Sequence, residues 1–209
     1  MIPEVLGRLI GRHRYGRESY FSDQLKDKYE NLSAYFNLCS LSSLRSAVSS
    51  GRQIRCCDDL VFDCSPGAFV RCFGKPQHQI KSPNDLTDLL LVYRQQWNSY
   101  KVKSELHFAR HGLFYFNRTF PHLSQAQKQE LLAVLADKYH DGESVDFAAE
   151  KLVDPVGNEI IVSQNLVLSI DYLDKQGPSC TELLEILGRS RLVKQQQVDR
   201  QLAHLYHHL

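Results

Sequence analysis

Along residues 101–109 apolar and polar side chains alternate, with Val102, Ser104, Leu106 and Phe108 on one side and Lys101, Lys103, Glu105 and His107 on the other. Period two is the pattern of a strand buried on one face. "RHG" at 110–112 and then "LFYFNRTF" predict a hairpin. Two registers compete. A two-residue His111–Gly112 turn sets Phe108 opposite Tyr115 and Glu105 opposite Arg118. A three-residue Arg110–Gly112 loop sets Phe108 opposite Phe114 and Leu106 opposite Phe116. The second keeps one face apolar and the other polar, which a half-covered sheet requires, and is the expected register. Upstream, "LTDLLLVYRQ" reads as the first strand of a meander and "QWNSY" as its turn.

Elsewhere the spacing is helical. Leu25, Tyr29, Leu32 and Phe36 predict a helix from Phe21 to about Val48, capped by Ser22 and broken by "SSG" at 49–51. "DLVFDC" at 59–64 predicts a short strand. Ser65–Pro66 then starts a helix that Gly74 and Pro76 stop, with Phe69, Val70 and Phe73 as its apolar face. Between Ser124 and Gly142 lies the clearest helix, with Ser124 and Gln127 as a capping box and Leu131, Leu132 and Leu135 as its stripe. Strands at about 145–153, 159–164 and 166–173 follow, then a linker at 174–179 and a second capping box, Ser179 with Glu182. In the last segment Val198, Leu202, Leu205 and Leu209 fall on one helical stripe.

This order predicts an α+β fold: a largely antiparallel sheet with helices packed on one face, plus N- and C-terminal helical segments. The expected organisation is a basic arm over 1–19, one α+β domain over 20–178 and a helical tail over 179–209. The short helix ending in "FGKP" ahead of a three-strand meander, about residues 60–120, resembles the repeat unit of the bacterial β-lactamase inhibitor proteins and of small outer-membrane assembly lipoproteins. That likeness is one of fold and implies a helix lying on a meander.

Composition narrows the function classes. At 209 residues with 43% hydrophobic and 23% charged residues, the chain suits a globular domain with a sizeable core. A net charge of +1 gives no global field for a polyanion. No apolar run approaches the roughly 18–20 residues of a membrane span, so the expectation is a cytoplasmic protein with reduced cysteines.

Four of the six cysteines lie in "RCCDDLVFDCSPGAFVRCFGKP". Cys56, Cys57, Cys64 and Cys72 lack the paired C-x2-C spacing of zinc or redox sites, and His78 adds no second pair. Core packing is the expectation, with no metal and no cofactor. His204, His207 and His208 sit at the end of a helix without the glutamate of a metal-binding H-E-x-x-H. No phosphate loop or nucleophile elbow occurs, and no catalytic residue is assigned.

Three functions remain. The expected one is a non-catalytic cytosolic protein acting by protein–protein interaction, through the polar hairpin face (Lys101, Lys103, Glu105, His107, Tyr115) or the C-terminal stripe (Val198, Leu202, Leu205). That stripe makes the partner another protein or a second copy of the chain. The alternatives are a small-molecule enzyme using the polar face, and nucleic-acid binding through Arg8, Arg12, Arg14 and Arg17.

Overall fold

The computed structural model describes residues 17–57, 60–186 and 188–189. In chain order they form α1 (Arg17–Glu30), α2 (Ser33–Leu44), β1 (Ser46–Ser49), α3 (Pro66–Phe73), β2 (His78–Lys81), β3 (Leu89–Trp97), β4 (Tyr100–Ala109) and β5 (Gly112–Phe120). Then come α4 (Gln125–His140), β6 (Glu150–Val153), β7 (Asn158–Gln164) and β8 (Leu168–Asp174). A last helix, α5, runs over 178–186. All eight strands join one sheet in the order β1-β6-β7-β8-β5-β4-β3-β2. Every pairing is antiparallel except that of β1 with β6. The fold is α+β.

Local chemistry sets the helix ends. The Ser65 hydroxyl accepts from the Ala68 N–H at 3.2 Å and Pro66 opens the first turn of α3. Gly74, at φ 79°, closes it where a side chain would be strained. The Ser124–Gln127 capping box forms in both directions on α4. The expected helix from Phe21 to Val48 is instead two helices and a strand. Leu32 adopts φ 60°, and the Asn31 side chain accepts from the Ser33 N–H at 3.0 Å, turning the chain between α1 and α2. "SAVS" becomes β1 because β6 offers it a parallel partner. In place of the expected strand, residues 60–64 form a turn with an isolated bridge, Cys57 to Leu60, and Leu60 and Phe62 reach the core. Helix α5 begins at 178, so Ser179 lies inside its first turn and not at a cap.

The hairpin takes a mixed register. Ala109 pairs with Gly112 and Phe108 with Leu113, a two-residue Arg110–His111 turn, but from His107 opposite Tyr115 onward the register is the expected one, with Leu106 opposite Phe116. The extra residue is Phe114, a bulge that turns Phe114 and Tyr115 toward the same core.

Helices cover both faces of the sheet, which corrects the expectation of one. Leu91, Tyr93, Leu106 and Phe116 pack with Phe69 of α3 and with Leu135 and Tyr139 of α4. The alternate residues Leu90 and Val92 pack with Leu25 and Tyr29 of α1 and with Tyr35 and Leu38 of α2. Cys180 and Leu183 of α5 join this second core and are fully buried. Glu105, His107, Tyr115 and Asn117 therefore lie under helices α1 and α2, away from open solvent.

Candidate functional site

Strand register lays out the polar residues on the α1/α2 face as rows running across the sheet. One row is Glu105, Asn117 and Asp171; the next, one step toward the strand ends, is Arg94, Lys103, Thr119, Ser169 and Ser163. His107 and Tyr115 pair one step inward. Lysines of α1 and β4 close over the first row.

Glu105 is completely buried, yet it stays charged. Its Oε2 accepts from the Tyr29 hydroxyl at 2.5 Å and from Lys28 Nζ at 3.1 Å, while Lys103 Nζ stands 2.7 Å from Oε1. Burial alone would push the carboxyl up. The two lysines and the hydrogen bonds from Lys103 and Tyr29 outweigh it and hold the group at about 2. His107 shows the opposite balance. Burial dominates and lowers the imidazole to about 3, with Glu105 opposing and Lys28 assisting. Its Nδ1 is 2.7 Å from the Tyr35 hydroxyl, which also bonds Thr87 at 2.8 Å. Nε2 has no hydrogen-bond partner among the described residues and sits among the rings of Tyr29, Tyr35, Phe114 and Tyr115. This is a neutral imidazole in an aromatic box.

Asp171 forms the other half of the network. It accepts from Tyr115 at 2.8 Å, from Asn117 at 2.6 Å and from Ser169 at 3.3 Å. Burial raises its carboxyl and these hydrogen bonds pull the other way. Tyr115 is held protonated by burial and by the adjacent Asp171 and Glu105 charges.

Above these groups opens a cleft of about 410 Å³ between α1, α2 and the sheet, lined among others by Lys28, Asn37, Lys103, Asn117, Ser169 and Asp171. Lys103 and Thr119 also line a second hollow of about 560 Å³, which continues over Arg94, Gln96, Lys101 and Pro121. The two hollows adjoin at their shared Lys103 and Thr119, and together are called the trough. Its floor carries hydroxyls, amides and cations, and its carboxylates are recessed and engaged.

Chemically the arrangement holds groups in place. His107 is uncharged near neutral pH and does not line the cleft. Both Asp171 oxygens accept hydrogen bonds from neighbours. Among the described residues that line the trough, none combines a pKa shifted toward neutrality with a free path to a substrate.

The structure thus divides the expected site residues. Lys101 is exposed and Lys103 partly so, whereas Glu105, His107 and Tyr115 are buried and unavailable to a docking surface. Arg8, Arg12, Arg14, Val198, Leu202, Leu205, His204, His207 and His208 lie outside the described residues, and Arg17 is the first residue of α1. Tyr35, Thr87 and Asp171 were not singled out by sequence reasoning, and Tyr29 was read only as a helix-spacing position. The available signal was the polar residues on the same face of β5 and β8 (Tyr115 and Asn117, Ser169 and Asp171), too many neighbouring polar positions for an ordinary core.

The cysteines are free thiols. Cys56 is buried, and burial raises both its thiol and that of Cys64, the latter to about 11; Cys72 is exposed. No group of three or more metal-ligating side chains gathers among the described residues. Cys39 of α2 and Cys180 of α5 are buried side by side, and the neighbouring thiol lowers Cys39 against the effect of burial. Among the described residues no helix is long and apolar enough to cross a membrane. No protein-family model, no curated protein and no solved structure matches the chain.

Proposed function

We propose that this chain is a non-catalytic cytoplasmic protein that works by binding another protein. One observation carries the reading. The groups that chemistry would need, Glu105, His107 and Tyr115, are buried and hydrogen-bonded to their neighbours, while Arg94 and Lys101 on the same face are left at the surface. A buried network of this kind, in which His107 Nε2 lacks a hydrogen bond and Glu105 Oε1 is held by the Lys103 ion pair, fixes side-chain positions and supports recognition. The small-molecule enzyme reading asks for His107 or Tyr115 to reach a substrate, and His107 is walled off by four rings. The free thiols suit a reducing compartment.

The test is lysine-directed cross-linking in the native cell, followed by mass spectrometry of the full chain. Links from Lys101 or Lys103 to a second protein are the expected result. Intramolecular links alone, with a small metabolite co-purifying with the chain, contradict it. Self-association is separated by light scattering on the full chain and on a version ending at Arg189, which keeps the buried Cys180 and Leu183 of α5. A monomeric mass for both removes the second-copy reading.

A further inference from the structure

Resting on that binding reading, we infer that the trough takes an extended acidic segment of the partner, laid across the strands, with an apolar residue at its far end. Five strands, β3, β4, β5, β8 and β7, contribute the row from Arg94 to Ser163. At ~4.8 Å per strand the row spans roughly 19 Å, the reach of about six extended residues. Its charge is one-sided. Arg94 and Lys103 pair at the β3–β4 end with Lys101 one row outward, while Lys28 of α1 shares the Glu105 carboxylate with Lys103.

The carboxylates of this sheet face are already engaged: Glu105 and Asp171 are buried one row inward and hydrogen-bonded, and Glu159 of β7 is buried against Ser42 and Lys151. Toward β7 the floor becomes hydroxylated (Ser169, Ser163), and the β7–β8 turn raises Leu166, 99% exposed, and Val167, 39% exposed. Cations at one end and bare apolar side chains at the other call for carboxylates followed by an apolar anchor.

Neither residues 1–16 nor residues 190–209 have the composition of such a segment. Residues 1–16 hold one acid, Glu4, against Arg8, Arg12 and Arg14, and residues 190–209 hold one, Asp199, against Arg191, Lys194 and Arg200. The same composition argues against these two stretches of a second copy. Nucleic acid also brings negative charge, but base stacking needs open aromatic faces. Among the described residues, the Phe21 ring is already covered by the Arg94 guanidinium at 4.3 Å and the Tyr29 ring by Lys28 Nζ at 4.6 Å.

Fluorescence anisotropy tests the inference with a labelled peptide of four glutamates, a Gly-Ser spacer and a terminal leucine. Its controls are the same peptide with lysine for glutamate and an oligothymidylate of equal charge. The full-length chain is compared with the R94E/K101E double variant and with K75E, an exposed charge reversal outside the trough, and circular dichroism verifies folding. Expected is binding of the acidic peptide that weakens about tenfold or more, ~1.4 kcal/mol, in R94E/K101E and is unchanged in K75E. Raising salt from about 50 to about 200 mM weakens it further, because these charges are exposed.

Equal affinity of the double variant, or equal binding of the lysine peptide, overturns the inference. So does tighter, Arg94-dependent binding of the oligothymidylate, which assigns the trough to nucleic acid. The two levels fail separately. A cellular partner whose cross-links survive R94E/K101E keeps the binding reading and removes this surface; absence of both partner and peptide binding removes both.

Discussion

Replacing His107 by phenylalanine should make the protein slightly weaker at neutral pH and stronger in acid. The ring fits, since His107 is already packed among Tyr29, Tyr35, Phe114 and Tyr115. What is lost at pH 7 is one hydrogen bond to Tyr35, whose hydroxyl keeps Thr87, so the cost is about 1 kcal/mol. What is gained appears below pH 6.5. The folded imidazole holds off its proton to about pH 3. The unfolded one accepts it near 6.5. Between those values the unfolded state binds the extra proton, and stability falls by about 1.4 kcal/mol per pH unit. By pH 4 the wild type has given up about 3 kcal/mol through this group alone, so His107→Phe should exceed it by about 2 kcal/mol. Asp174 acts with the opposite sign: burial and the nearby Asp63 hold its carboxyl up at about 6, so it adds stability as pH falls below that value. The quantity to measure is therefore the difference between variant and wild type, from urea denaturation at closely spaced pH values from 8 to 4. A crossing between pH 7 and pH 4 is expected. Parallel curves would refute the claim that His107 is buried and neutral.

Three further outcomes follow from the same packing. Glu105→Gln should lose about 3 kcal/mol at pH 7 by equilibrium unfolding; the native carboxyl at about 2 gives stability above pH 4.5 that fades as pH falls toward 2, and the variant should lack that acid limb. Gly112→Ala should cost about 2–4 kcal/mol in thermal unfolding, because φ is 115° there and a Cβ would lie 2.3 Å from the Asp63 carbonyl oxygen; a shift of less than a degree in Tm would contradict it. Asp154→Ala should cost about 2–4 kcal/mol, since its carboxylate accepts from the Ile54, Val156 and Asn158 backbone N–H groups and the Asn158 amide; hydrogen exchange should rise first at Ile54 and Asn158.

Elements with local punctuation were legible in the sequence. Ser65–Pro66 and Gly74 bracket α3, the capping box starts α4, and alternation marks β4. Elements defined by distant partners were not. "SAVS" continues a helical pattern until β6, about a hundred residues on, pairs with it, and "HQIK" becomes β2 only as an edge to β3. The site was half legible for the same reason. Lys101 through His107 were singled out as one polar face, but alternation is identical whether that face meets water or a second helical layer. What distinguishes the two is Tyr29 and Tyr35, whose hydroxyls end on Glu105 and His107, and those contacts join residues more than seventy positions apart.

The polar face has two parts, a buried network centred on Glu105 and His107 under α1 and α2, and an open cationic trough that borders it. Amide and side-chain chemical-shift mapping of the isotope-labelled chain with the acidic peptide tests this most directly. The account predicts saturable shifts at Arg94, Lys101, Lys103 and Thr119, with the His107 imidazole resonances unmoved. Shifts centred on His107 and Glu105 with Arg94 and Lys101 silent would contradict it.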